Sequence, residues 1–149
     1  MAANNKNQKA GLKSAGRKST QASGMQGVFM VASQLSEKGF IVSPTSRNAY
    51  GADLLVTDAR CRRAYTVQVK TQKGNPGFWL VGSKAKAVVS PSHVYVLVNQ
   101  TNAGPRFYIV PSKRLAARVT TDSQGRFHSF TRDERFLDNW KVFGPASRR

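Results

Sequence analysis

The chain has 149 residues, enough for one domain with a hydrophobic core, and 40% of them are hydrophobic, as a globular protein requires. It carries 24 Lys plus Arg against 7 Asp plus Glu, a formal charge of +17 spread along the whole length, and a field of that sign and size draws polyanions, nucleic acid first. No apolar run approaches the roughly 18–20 residues that span a bilayer, the N-terminus lacks the apolar core of a signal peptide, and the single cysteine, Cys61, excludes an internal disulfide or a multi-cysteine zinc site, so a cytoplasmic protein without membrane contact is expected.

Residues 1–23 hold Lys6, Lys9, Lys13, Arg17 and Lys18 and no acid, among Asn, Gln, Ser, Gly and Ala. Such a composition buries no face and reads as a disordered basic arm, either a phosphate-tracking segment or a solubilising tail. A single domain is expected over 24–149. From Met25 to Lys38, Val28, Val31, Ala32 and Leu35 recur at helical spacing, and Gly39 follows as a stop. Phe40–Pro44 makes a short strand, and residues 45–50 form a polar loop. Ala49–Thr57 and Ala64–Thr71 read as the second and third strands, joined by the turn Asp58–Arg63. After a Gly/Pro loop come a short extended piece at Phe78–Gly82 and a helical turn or two near Ser83–Ser90. Ser92–Asn99 and Arg106–Ser112 are clear strands. A short helix starting at Ser112, a loop with some extended character and a final short helix within Thr131–Phe143 complete the chain. One mixed sheet with helices packed on it is the simplest architecture, an α/β fold.

The informative stretch is Gly51–Thr71. Alternate residues of a strand share a face, so Gln68 and Lys70 point the same way. If the two strands pair as a hairpin, Asp53 sits beside them. A carboxylate, an amide oxygen and an ammonium then converge on one rim of the sheet, a trio able to hold a divalent metal and a phosphate. His93 and His128 are isolated and read as structural or surface residues. No Walker loop, dinucleotide fingerprint, serine elbow or zinc spacing is present.

The helix–strand–strand–strand order, with Gly-Ala-Asp-Leu-Leu followed by Val-Gln-Val-Lys-Thr, resembles the PD-(D/E)xK nuclease superfamily, and among its members the small Holliday-junction-resolvase-like proteins and their bacterial relatives. The resemblance covers about Met25 to Val110. It implies a restriction-endonuclease-like αβββαβ core with a central mixed sheet flanked by helices. It implies metal ligation by Asp53, Gln68 and the carbonyl of Val69, with Lys70 as the catalytic lysine acting on water and the scissile phosphate. The implied cofactor is Mg²⁺ or Mn²⁺, weakly held, because Gln68 stands where most members carry an acid and Val28 where the helix glutamate usually sits. The implied activity is phosphodiester hydrolysis of DNA, branched or single-stranded, selected by shape rather than sequence, with a homodimer as the natural way to cut two strands.

Further candidates for nucleic-acid contact are Arg47 and Asn48 in the loop before Asp53, Gln72 and Lys73 at the end of the third strand, and Lys84 and Lys86 in the short helix. Each has a plain alternative as a solvated surface residue, and Phe78 and Trp79 either stack on bases or pack on the sheet. The competing function is a nuclease fold that has lost catalysis and serves as a nucleic-acid-binding module in a larger assembly. A third reading is an RNA-associated basic protein.

Overall fold

The computed structural model describes the backbone of residues 5–46 and 49–146 and, within those ranges, the side chains from Gln21 onward. In chain order the elements are α1 (Asn5–Glu37), β1 (Ile41–Pro44), β2 (Leu54–Thr57), β3 (Ala64–Lys73), β4 (Phe78–Leu80), α2 (Lys84–Ala87), β5 (His93–Thr101), β6 (Gly104–Pro111), α3 (Ser112–Ala116), β7 (Thr120–Thr121) and β8 (His128–Thr131). Two 3₁₀ turns follow at Glu134–Phe136 and Trp140–Phe143.

The helix begins at Asn5, where composition suggests a disordered arm through Ser23 and a helical start at Met25. The added segment is free of proline and carries four Lys and three Ala, good helix formers, against three weakening glycines, Gly11, Gly16 and Gly24. Gly27, Val28, Val31 and Leu35 form the buried stripe of α1. Gly39, at φ 88°, ends it: the Gly39 N–H reaches Ser36 O at 2.9 Å and the Phe40 N–H reaches Leu35 O at 3.1 Å.

The main sheet has the order β1-β2-β3-β5-β6, with β3 and β5 parallel and the other neighbours antiparallel. This is the mixed α/β architecture expected, with α1 entering three strands and a crossover through α2 leading to β5. From His93 to Asn99 every residue of β5 is buried, as a central strand covered on both faces must be. Alternation along it splits the core in two. Val94, Val96 and Val98 face the cluster of Val28, Val31, Leu35 and Phe143, while Tyr95 and Leu97 face Trp79, Leu115 and Phe130.

Several local expectations change. The second strand starts at Leu54 rather than Ala49, because Gly51 at φ 73° turns the chain just before it. The extended loop near the C-terminus becomes two strands, which build a second sheet of order β4-β8-β7. The final helix is replaced by the two 3₁₀ turns. Between them Leu137 bridges to Tyr108 and the Asp138 N–H donates to Phe107 O at 2.8 Å, with Asp138 in the left-handed region at φ 48°. Pairing with β6 therefore wins over helical continuation. Ser112 does not cap α3: its hydroxyl donates to Ser90 O at 2.8 Å and accepts the Ser90 N–H at 3.0 Å, tying the helix start to the loop before β5.

Candidate functional site

Unequal strand lengths create the site. β3 runs for 10 residues and β2 for 4, and their pairing ends at Leu54↔Val67. Beyond that point β3 keeps β5 on one edge through Lys73, while its other edge loses its partner strand. The chain leaves the sheet at Asp53, whose N–H makes a last bond to Val67 O at 2.8 Å. The next ladder donor on β3, the Val69 N–H, has no strand carbonyl to meet and donates instead to Asp53 Oδ2 at 2.7 Å. The carboxylate thus takes the place of a backbone acceptor. The Gln68 side-chain amide donates to the same oxygen, and its Nε2 also lies 3.5 Å from Val69 O.

A cavity of about 310 Å³ opens at this edge. Asp53, Gln68, Val69 and Lys70 line it from the strands, and Thr45 and Ser46 from the loop between β1 and β2. That loop is pinned to the site: the Thr45 N–H donates to Asp53 O at 2.9 Å and the Thr45 hydroxyl to Ala52 O at 2.7 Å. α1 supplies the remaining wall, with Gln21, Met25 and Val28 on one helical face.

Asp53 is half-buried, and burial pushes its carboxyl above the ordinary value of 3.8, with the Val69 N–H and the Lys70 ammonium pulling the other way. Among the described residues no three His, Cys, Asp or Glu side chains gather around a common point, so an acid-rich centre of the usual kind is absent. The donors that do converge are oxygens: the Asp53 carboxylate, the Val69 carbonyl and, after rotation of the amide, Gln68 Oε1. Oxygen donors suit hard ions such as Mg²⁺ and Mn²⁺ in type, although they bring one formal negative charge. Val28 is buried, packed in the core and also lining the cavity wall, where it contributes an apolar side chain.

The other candidates are scattered. Arg47 and Asn48 lie outside the described residues. The Gln72 amide is engaged in the fold, donating to Phe78 O at 2.7 Å and to Asn99 Oδ1 at 3.1 Å. Lys73 is exposed at the end of β3. The Lys84 ammonium lies 3.9 Å from the centre of the Tyr50 ring, whereas Lys86 turns to the Thr121 hydroxyl at 3.3 Å. Trp79 is buried core, while its neighbour Phe78 is exposed. His93 is buried with Nδ1 2.7 Å from the Thr66 hydroxyl, and burial lowers its pKa; His128 pairs with the Thr121 hydroxyl at 3.0 Å. Asp58, buried in the turn, accepts the Arg62 N–H at 2.8 Å and pairs with Arg63, a structural role far from the cavity.

Sequence reasoning missed Gln21 and Thr45, while Ser46 lies where the sequence placed it, in the polar loop beside the site. Gln21, Met25 and Val28 follow i, i+4, i+7 spacing, a signal that has meaning only once the helix is known to extend past Met25.

A mixed five-stranded sheet entered by a helix, of order β1-β2-β3-β5-β6 with one parallel pair, is a restriction-endonuclease-like fold. The chain is similar to Hjc, a Holliday junction resolvase of the archaeal hyperthermophile Archaeoglobus fulgidus, with a TM-score of 0.53 and 13% identity over 84% of this chain and 98% of that one. It is also similar to the bacterial homing endonuclease I-Ssp6803I, with a TM-score of 0.56 and 17% identity over 83% of this chain and 89% of that one. At such identities the likeness establishes the fold. No protein-family model and no curated protein sequence matches the chain. Among the described residues no helix is long and apolar enough to cross a membrane.

Proposed function

We propose that the protein is a divalent-metal-dependent DNA endonuclease that hydrolyses phosphodiester bonds and selects DNA by shape, at branches, ends or single strands. The observation that carries this reading is the convergence of Asp53, Gln68, Val69 and Lys70 on one cavity, at the open strand edge of a nuclease fold, in a chain of net charge +17. Asp53 and the Val69 carbonyl hold the metal, joined by Gln68 once its amide turns to present oxygen. The ion, when bound, supplies Lewis acidity toward the phosphate and a more acidic water. The Lys70 ammonium binds the non-bridging phosphate oxygen and stabilises the charge that grows there in the transition state. Met25 and Val28 limit water on the helix side. Positive charge along the chain provides sequence-independent affinity for the backbone. A homodimer gives two such sites for two strands.

The direct test incubates plasmid, branched and single-stranded DNA with the protein in Mg²⁺ or Mn²⁺, beside Asp53→Ala and Lys70→Ala. Cleavage by the parent protein, lost in both variants, is the expected result. Persistent cleavage in both variants sinks the assignment.

One observation favours a second reading. Gln68 satisfies Asp53 with an amide hydrogen where a metal would otherwise sit, and Val28 contributes no charge. A binding module that retains the fold without catalysis accounts for both. Such a protein binds DNA without cutting it in any metal. Tighter binding of a single-stranded RNA of matched length, added to the same series, points to an RNA-associated protein instead.

A further inference from the structure

Tyr50 is the most exposed large hydrophobic residue of the described fold, with 68% of its surface open. It lies on the loop that lines the cavity with Thr45 and Ser46, three residues before Asp53. The loop is not loose at this point: Gly51 turns it at φ 73°, and a Cβ there would meet the Val88 side chain at 3.5 Å, so the turn rests on the segment following α2. Lys84 of α2 places its ammonium 3.9 Å from the centre of the Tyr50 ring. Tyr95 is buried on β5, and its hydroxyl is pushed up chiefly by that burial and also by Tyr50. Tyr95 stands directly beside Gln68 in the β3–β5 register. An exposed aromatic ring is therefore held on the segment that leads into Asp53, on the side of β5 that neighbours Gln68 of β3.

We infer that Tyr50, braced by Lys84, is a stacking platform for an unpaired nucleobase adjacent to the phosphate at Asp53 and Lys70; this rests on the reading of the cavity as a phosphodiester site. A cation over one face restrains the ring and leaves its open surface for a second flat group. Because the side chain is already held, stacking costs little further rotamer entropy. Bases inside a duplex are stacked on both faces and do not offer one to a protein ring. A base at a gap, flap, branch or single strand does, and stacking on it is indifferent to base identity. Shape selectivity then has a local source: the nucleotide beside the scissile phosphate must be unpaired. Lys84 adds a charge for the neighbouring backbone.

The test uses the full chain in EDTA, so that cleavage plays no part. The probes are a duplex with a single-nucleotide flap carrying 2-aminopurine at the unpaired position and the matching fully paired duplex. Binding is expected to quench the 2-aminopurine. Tyr50→Ala should weaken binding of the flapped probe by about tenfold while changing the paired duplex by less than about twofold, and Tyr50→Phe should retain the parent behaviour. Thermal melting confirms that the exposed substitution leaves the fold intact. Equal affinity of Tyr50→Ala and the parent for the flap, or equal loss on both probes, overturns the inference. A separate Mn²⁺ cleavage assay divides the two proposals: an intact Tyr50 effect without cleavage defeats only the nuclease reading, and cleavage without a Tyr50 effect defeats only the stacking platform.

Discussion

The Gln68 side-chain amide donates to Asp53 Oδ2, the oxygen that also takes the Val69 N–H at 2.7 Å. A glutamate at 68 would set carboxylate against carboxylate in a half-buried site and would create the charge that a dication needs. Gln68→Glu should therefore lower the melting temperature in EDTA and raise it in Mn²⁺. Apparent Mn²⁺ affinity should rise by roughly tenfold or more, since added ligand charge tightens oxygen sites. Thermal shift over a Mn²⁺ titration measures both effects. A variant that responds to Mn²⁺ no differently from the parent would place the metal elsewhere.

The carboxyl of Asp53 also sets a pH dependence. Burial raises its folded pKa above the unfolded value of 3.8, so the fold favours the protonated acid. The associated stability is present below 3.8 and is lost as pH rises through the raised folded pKa. At neutral pH the ionised group costs stability, as functional residues often do. Asp53→Asn should be more stable than the parent at neutral pH, with the difference shrinking in acid. Urea unfolding across the acid range checks the sign. A less stable Asn variant at neutral pH contradicts it.

Packing of α1 on β3 makes a separate prediction. A Cβ on Gly27 would overlap the Thr71 hydroxyl, and that buried hydroxyl has no hydrogen-bond partner among the described residues. Gly27→Ala should cost about 1–3 kcal/mol by overpacking. Thr71→Ala should be neutral or stabilising by about 1 kcal/mol, since an unsatisfied buried group is removed. The double variant should lose less than the sum of the two changes, because the clashing oxygen is gone. Strict additivity in denaturant titrations would mean that the helix does not approach the strand at this point.

Lys70 lines the cavity and its ammonium draws down the pKa of Asp53. Its proposed role is in the transition state rather than in ground-state binding. Lys70→Met keeps the length of the side chain and removes the charge. Single-turnover cleavage in Mn²⁺ should fall by about 10²–10³, while DNA affinity changes little against so large a background of positive charge. Equal losses in binding and cleavage would reduce Lys70 to a phosphate-tracking residue.

Much of the fold was legible in linear pattern. The change from 3.6-residue spacing at Val28, Val31 and Leu35 to strands after Gly39 marks the helix-to-sheet transition, and it holds because both periods are properties of the local backbone. The juxtaposition of Asp53, Gln68 and Lys70 was legible for the same reason: period two puts Gln68 and Lys70 on one face, and a hairpin returns the chain to Asp53. The second sheet was not, since strands of 2 to 4 residues carry too few positions for a period to show. Nor were the C-terminal turns, where a helical composition yields to pairing with β6.

The chain by itself determined the main helical and extended segments between Met25 and Pro111, its positive field and the chemical types available at the site, because these depend on neighbours in sequence and on composition. Tertiary structure alone decided that β3 outruns β2 and leaves the Val69 N–H to a carboxylate, that Gln21 faces the strand edge, and that Lys84 rests on Tyr50. Those relationships join groups separated by loops and crossovers. Only the closure of the sheet brings them within reach of one another.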